Sequence, residues 1–255
     1  MAKNWTEAQE NEQSFWTRWA GEQRKDQPAA ARPPITVERA VDFARVTLER
    51  FNVAFRDLDG KTVADIGCGP YGVLFGILNS GERFTTPPRL IGVDPLMDLY
   101  ERIGLLRPQA GLELHKARGE TIPLPDGSCD FVWCINALDH VENPGRVAAE
   151  LHRITKSGGV CGVSLHTVTR PFAPVRRFLR YVDKNHPHHL TLGDVRGFLA
   201  EHFDRVELSR IVTLTEDQPA FAFHHIFDAK DKKQAIMQWI STLVLHTACF
   251  TCRKE

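Results

Sequence analysis

The sequence predicts an α/β fold in which a mostly parallel, seven-stranded sheet carries helices on both faces. Three observations predict it. Five short apolar runs between Thr62 and Leu165 alternate with helix-patterned segments, a glycine-rich turn follows the first run, and 255 residues suffice for one such domain with embellishments. Alternation of this kind builds parallel strands joined by right-handed crossovers.

Taken in order, residues 1–34 are expected to form an N-terminal helical extension or lid. Its polar helix carries Phe15, Trp16 and Trp19, and Gln27–Pro34 is a breaker-rich linker. The main domain spans residues 35–255. Val37, Ala40, Val41, Ala44, Leu48 and Phe51 recur at helical spacing behind a Thr36 N-cap. Strands are expected at Thr62–Ile66, Leu90–Val93, Leu112–His115, Asp130–Ile135 and Val160–Leu165. The intervening helices fall at about 72–78, 96–105 and 144–155. Thr191 and Asp194 resemble a capping box opening a helix over Leu192–Ala200, and Val206–Val212 and Leu243–Arg253 supply two more strands. Ile236, Trp239 and Leu243 share the face of a late helix. Ligands in open α/β sheets sit at the carboxyl ends of the strands, so residues 1–34 and insertions at about 167–190 and 213–242 are the expected walls of a substrate pocket.

Lys+Arg and Asp+Glu both total 32, which leaves no global field to attract nucleic acid or an acidic membrane. Residues 1–10 lack the apolar core of a secretory signal. The apolar stretch Trp239–Phe250 is too short and too interrupted to span a bilayer. Six scattered cysteines fit a reducing compartment, so a cytoplasmic protein, monomer or homodimer, is expected. Cys249 and Cys252 form a C-x-x-C, but in a strand they face opposite sides of the sheet.

The chemistry concentrates first in Asp65-Ile66-Gly67-Cys68-Gly69-Pro70-Tyr71-Gly72. Gly67, Gly69 and Gly72 satisfy the G-x-G-x-x-G spacing of a nicotinamide dinucleotide site, which keeps an oxidoreductase among the alternatives. Asp65 argues the other way. A pyrophosphate seeks helix-end N–H groups away from carboxylates, whereas a carboxylate here suits a cationic, phosphate-free nucleoside. Asp94, at the end of the second strand, is read either as a ribose-diol acceptor or as an N-cap.

The third signal is Gly119-Glu120-Thr121-Ile122-Pro123-Leu124-Pro125-Asp126-Gly127-Ser128-Cys129-Asp130-Phe131. With the glycine turn, Asp94, Asn136–Val141 and Lys156-Ser157-Gly158-Gly159, it resembles the class I methyltransferases that use S-adenosylmethionine (SAM), especially the UbiE-like small-molecule group. The resemblance spans about Lys61 to His166. It implies a Rossmann-like sheet with an antiparallel last strand, SAM as cofactor and S-adenosylhomocysteine (SAH) as product. It implies a cofactor site of Asp65, Gly67, Cys68, Gly69, Asp94, Pro95, Gly119, Glu120 and Asn136. Tyr71 departs from the family's third glycine, and Arg118 stands where many relatives carry an Asp near the adenine.

The methyl acceptor is expected to be a small, anionic or aromatic molecule, methylated on oxygen or nitrogen. Residues 134–137 read Cys-Ile-Asn-Ala, which lacks the Asn/Asp-Pro-Pro-Tyr/Phe motif of many adenine- and glutamine-directed enzymes. His140, His189 and His166 are the candidate bases, since imidazole titrates near neutrality. Trp16, Trp19, His186, His188 and Arg177 are candidate substrate contacts, with Arg170, Arg176 and Arg180 adding to one basic face. The histidine run 186–189 has three readings: base and substrate orienter, structural caps, or two nitrogen ligands of a metal, although no metal is expected. Trp16 and Trp19 are read either as a lid or as packing. A chain that binds SAM as a non-catalytic scaffold is the third functional alternative.

Overall fold

The computed structural model describes residues 2–23, 36–106, 109–181, 186–213 and 241–255. Seven strands form one sheet in the order β3-β2-β1-β4-β5-β7-β6. They are β1 (Thr62–Ile66), β2 (Arg89–Val93), β3 (Leu112–His115), β4 (Cys129–Ile135), β5 (Thr155–Val168), β6 (Arg205–Thr213) and β7 (Leu245–Arg253). The first five pair in parallel, while β7 runs antiparallel between β5 and β6. The helices are α1 (Ala2–Gln23), α2 (Val37–Arg50), α3 (Val73–Leu78), α4 (Met97–Arg102), α5 (Pro144–Ile154) and α6 (Leu192–Ala200). No described helix is long and apolar enough to cross a membrane.

Local chemistry sets the helix ends. The Thr36 hydroxyl accepts the Arg39 N–H to cap α2. At α6, Thr191 and Asp194 satisfy each other's backbone N–H groups in a capping box. The fourth helix stops at residue 102, earlier than its sequence pattern suggests. Gly104 takes a φ of +67°, and Leu105 N donates back to Tyr100 O at 2.8 Å in a Schellman-type closure.

A second difference lies in β5, which begins at Thr155, five residues before the apolar run. Thr155 pairs with Cys129, the register then slips, and the regular ladder restarts at Phe131 opposite Val160. Lys156–Gly159 thus forms an irregular strand entry in which Gly158, at φ +75°, donates its N–H to Lys254 O.

The sheet separates two cores. On one side α5 and α6 bury Val147, Leu151, Val195 and Leu199 against Ile66, Val132 and Val163. On the other, α2 and α3 bury Leu48, Phe51 and Ile77 around Trp133, whose ring stacks on Phe51 at 5.3 Å. Cys252 belongs to the first core and Cys249 to the second, so the C-x-x-C is split across the sheet. A third cluster places Trp16, Trp19 and Ala20 of α1 over Cys68, Met97 and Tyr100. The helix thereby lies across the carboxyl ends of β1 and β2. The linker Gln27–Pro34, most of the insertion at 213–242, and Ile236 and Trp239 lie outside the described residues.

Candidate active site

The residues after β1 form a cradle. Gly67 and Gly69 adopt φ values of +73° and +59°, a left-handed region that L side chains rarely enter. A Cβ on Gly67 would sit 2.4 Å from that of Ala137, whereas one on Gly69 would meet only Trp16, 4.0 Å away. The first glycine therefore serves a close chain crossing, and the second keeps the floor of the pocket bare.

Gly72 has a different purpose. A Cβ there would fall 2.5 Å from Oδ2 of Asp65 and 2.5 Å from the Cys68 carbonyl oxygen. The same Oδ2 accepts the Val73 N–H at 3.1 Å, at the start of α3. The helix end that a pyrophosphate would seek is thus already taken by a carboxylate. The third glycine of the G-x-G-x-x-G spacing makes room for Asp65, not for a phosphate.

Asp65 is 1% exposed, and its Oδ1 has no hydrogen-bond partner. Burial, reinforced by the charge of Asp94 and only partly offset by the Val73 bond, pushes its pKa up to about 7. Asp94 is also pushed up, to about 6, chiefly by burial. Its two oxygens accept Gly69 N at 2.9 Å and Leu96 N at 2.8 Å, so it ties the glycine turn to the end of β2. Asp94 does not cap α4, whose N-cap is Leu96 without a side-chain bond. Its oxygens instead bind the backbone of the glycine turn and of the chain leaving β2, and the residue lines the pocket. The buried Cys68 thiol is raised well above its usual range by the same desolvation and by both carboxylates.

These residues line a cavity of about 610 Å³. Pro95, Gly119, Glu120 and Asn136 line it too, so every cofactor residue implied by the sequence resemblance converges on one space. Glu120 has a structural duty as well, accepting the N–H groups of Glu142 and Asn143 at the head of α5. Asn136 takes a φ of +51°, tolerated by Asn, as the chain leaves β4. Its N–H is held by Ser164 O at 2.7 Å.

The roof comes from α1. Trp5, Gln9, Glu12, Trp16 and Trp19 recur at four- and three-residue steps and all line the cavity. Trp16 packs edge-on against Tyr100 at 5.6 Å and donates its indole N–H to Glu12 at 2.7 Å. Trp5 lies under the Arg118 guanidinium at 4.2 Å, and Arg118 pairs in turn with Glu120 and Glu142. Glu12 reaches to 3.6 Å from Nδ1 of His140. Sequence reasoning flagged Trp16 and Trp19 but missed Trp5, Gln9 and Glu12. Their signal was the shared helical face, hidden because that face mixes polar with aromatic residues.

The other predicted substrate residues scatter. His140 lines the cavity; His166, His188, His189 and Arg177 do not. His166 points across the ladder to the Thr247 hydroxyl at 3.2 Å. An imidazole nitrogen of His188 sits 2.9 Å from Val141 O, which ties the approach of α6 to the turn after β4. Arg177 is exposed and lies over Phe178, while Arg176 pairs with Asp194. The Arg180 side chain lies outside the described residues. His186 turns toward Asp139 and His140.

The electrostatics favour a cation. Glu12, Asp65, Asp94 and Glu120 line the cavity, and its arginines are Arg39 and Arg118, the latter already paired with carboxylates. An orphaned buried carboxylate oxygen beside a bare glycine floor fits a cationic group such as the ammonium end of SAM.

Residues 64–163 match the family described as "Methyltransferase domain". An uncharacterized methyltransferase of Mycobacterium sp. (strain JLS) is 32% identical over 113 residues, covering 44% of this chain and 42% of the relative. A dimethylglycine N-methyltransferase of Parasynechococcus marenigrum is 27% identical over 171 residues, covering 62% and 55%. The chain thus spans about half the length of these curated relatives. Among solved structures, the geranyl diphosphate C-methyltransferase of Streptomyces coelicolor A3(2) superposes with a TM-score of 0.61 at 14% identity, covering 86% of this chain and 80% of that one. Residues 64–163 are thus similar to a methyltransferase domain, and the seven-stranded sheet shares the fold of solved methyltransferases.

Proposed function

We propose that the protein transfers the methyl group of SAM to an oxygen or nitrogen atom of a small molecule. The observation that carries this reading is Asp65, a buried carboxylate with one unpartnered oxygen that also blocks the helix end a dinucleotide would use. SAM, when bound, supplies a methyl carbon already activated by a sulfonium. The chain's own residues then have to hold, align and dry the reacting pair. Asp65 with Gly67 and Gly69 holds the amino-acid end, and Asp94 takes the ribose hydroxyls. Asn136 and His140 stand at the acceptor's side, and α1 excludes water through Trp16 and Trp19.

Of the three histidines the sequence singles out as bases, His140 has the best support, because it alone lines the cavity. Relatives named for dimethylglycine and for geranyl diphosphate support a small acceptor. Calorimetry with SAH and with NAD(H) tests the reading: micromolar SAH binding without NAD(H) binding is expected, and the reverse preference would refute it. An acceptor screen that follows SAH release separates an enzyme from a SAM-binding scaffold.

A further inference from the structure

We propose that Asp139, His140 and His186 form a binding site for a divalent transition-metal ion at the acceptor side of the pocket. The turn after β4 supplies Asp139 and His140, and the chain leading into α6 supplies His186. One potential ligand atom from each lies within 4.8 Å of the other two. Nε2 of His186 is 3.9 Å from Oδ2 of Asp139, and the two imidazoles tilt together with centroids 4.6 Å apart.

Asp139 provides an independent sign. It is only 3% exposed, and its Oδ1 is buried without a hydrogen-bond partner. A carboxylate is rarely left so far from water without a cation or donors to answer its charge. Two imidazoles and one carboxylate suit Zn²⁺, Co²⁺, Ni²⁺ or Fe²⁺, whereas Mg²⁺ and Ca²⁺ favour all-oxygen sets. Around a tetrahedral zinc ion, ligand atoms stand roughly 3.4 Å apart, so loading draws this trio in by roughly an ångström. Side-chain rotation covers such a movement. Glu12, 3.6 Å from Nδ1 of His140, is placed like the outer carboxylates that commonly back a metal-bound imidazole.

Three protein ligands leave a coordination position open. His140 is the member of the trio that lines the cavity, so the site borders that space. On the methyl-transfer reading above, a loaded site uses His140 as a ligand and not as the free base, and the ion itself lowers the pKa of an acceptor atom bound to it. Ion binding itself stands apart from that reading.

The test uses the full chain, stripped with EDTA and titrated with Co²⁺ and with Zn²⁺ by equilibrium dialysis and visible absorption. We expect about one equivalent bound, with affinity at least about tenfold weaker in Asp139→Asn and in His186→Ala. His152→Ala, at a histidine stacked on His202, controls for background among the 11 histidines and should bind as the parent does. SAH calorimetry on the same samples reports the fold and the cofactor reading separately. SAH binding without stoichiometric metal overturns the site alone, and metal binding without SAH overturns the methyl-transfer reading alone. Metal binding undiminished in both Asp139→Asn and His186→Ala also overturns the site.

Discussion

Taking a carboxylate out of water raises its pKa, and Asp65, held near 7, lies far above the usual 3.8. A carboxyl group raised by folding contributes stability below its ordinary pKa and loses that contribution as the pH climbs through about 7. Binding a cation reverses the balance, since Asp65 must lose its proton before it can pair with an ammonium. SAH affinity should therefore rise with pH and level off above about 7, with a slope of up to roughly tenfold per unit below it. A flat calorimetric profile from about pH 5.5 to 8 would remove Asp65 from the ligand's charge balance. Asp65→Asn should weaken SAH by about 1.5–3 kcal/mol, the worth of a charge-assisted hydrogen bond, while the chain stays folded. Asp94→Ala should weaken it by about 1–3 kcal/mol, because ribose hydroxyls and the Gly69 N–H both lose an acceptor. His140→Ala should lower turnover far more than SAH affinity; equal turnover would return His140 to a structural part. Asp65 was legible in the sequence because strand, turn and carboxylate are neighbours along the chain. His166 misled because a place at a strand's carboxyl end does not fix where the ring points, and here it finds Thr247 on the next strand.

At the scale of elements, α1 and the α2–α3 pair carry the predictions. Trp16→Ala removes the contact to Tyr100 and opens the roof over Gly69. Faster SAH dissociation, read by stopped-flow fluorescence, is the expected outcome, with association little changed. The α2–α3 packing depends on a missing side chain. A Cβ on Gly76 would lie 2.1 Å from Ala40 O and 2.5 Å from Ala44 Cβ. Gly76→Val should destabilise by at least about 1–3 kcal/mol, visible as a lower Tm, because backbone rather than a flexible side chain stands in the way. Most strands and the caps at Thr36 and Thr191 were legible because period and capping chemistry are local, whereas Leu243 and Val244, expected in the last strand, are helical and β7 starts at Leu245. The entry of β5 was not legible, since its early start depends on a register slip against Cys129 that only the paired strand reveals. Gln9 and Glu12 were hidden for a related reason: a polar residue on a helix acquires a role only when the helix docks.

At the scale of the molecule, two faces of one sheet keep separate cores, and the ligand space lies where the strand order reverses beside β1. The alternating pattern sufficed to predict that architecture, since each crossover is a local unit. The acceptor's side of the cavity was far less legible. It joins the turn after β4 to α1, two segments distant along the chain.

The position of β7 bears on the order of assembly. Among the described strands, β6 meets the sheet only by way of β7, which comes later in the chain. During synthesis β6 therefore has to wait with an unmatched edge until residues 245–253 have emerged, and the two strands can then add to β5 together. Such long-range pairing is slow, so the final folding step should be the one most exposed to self-association.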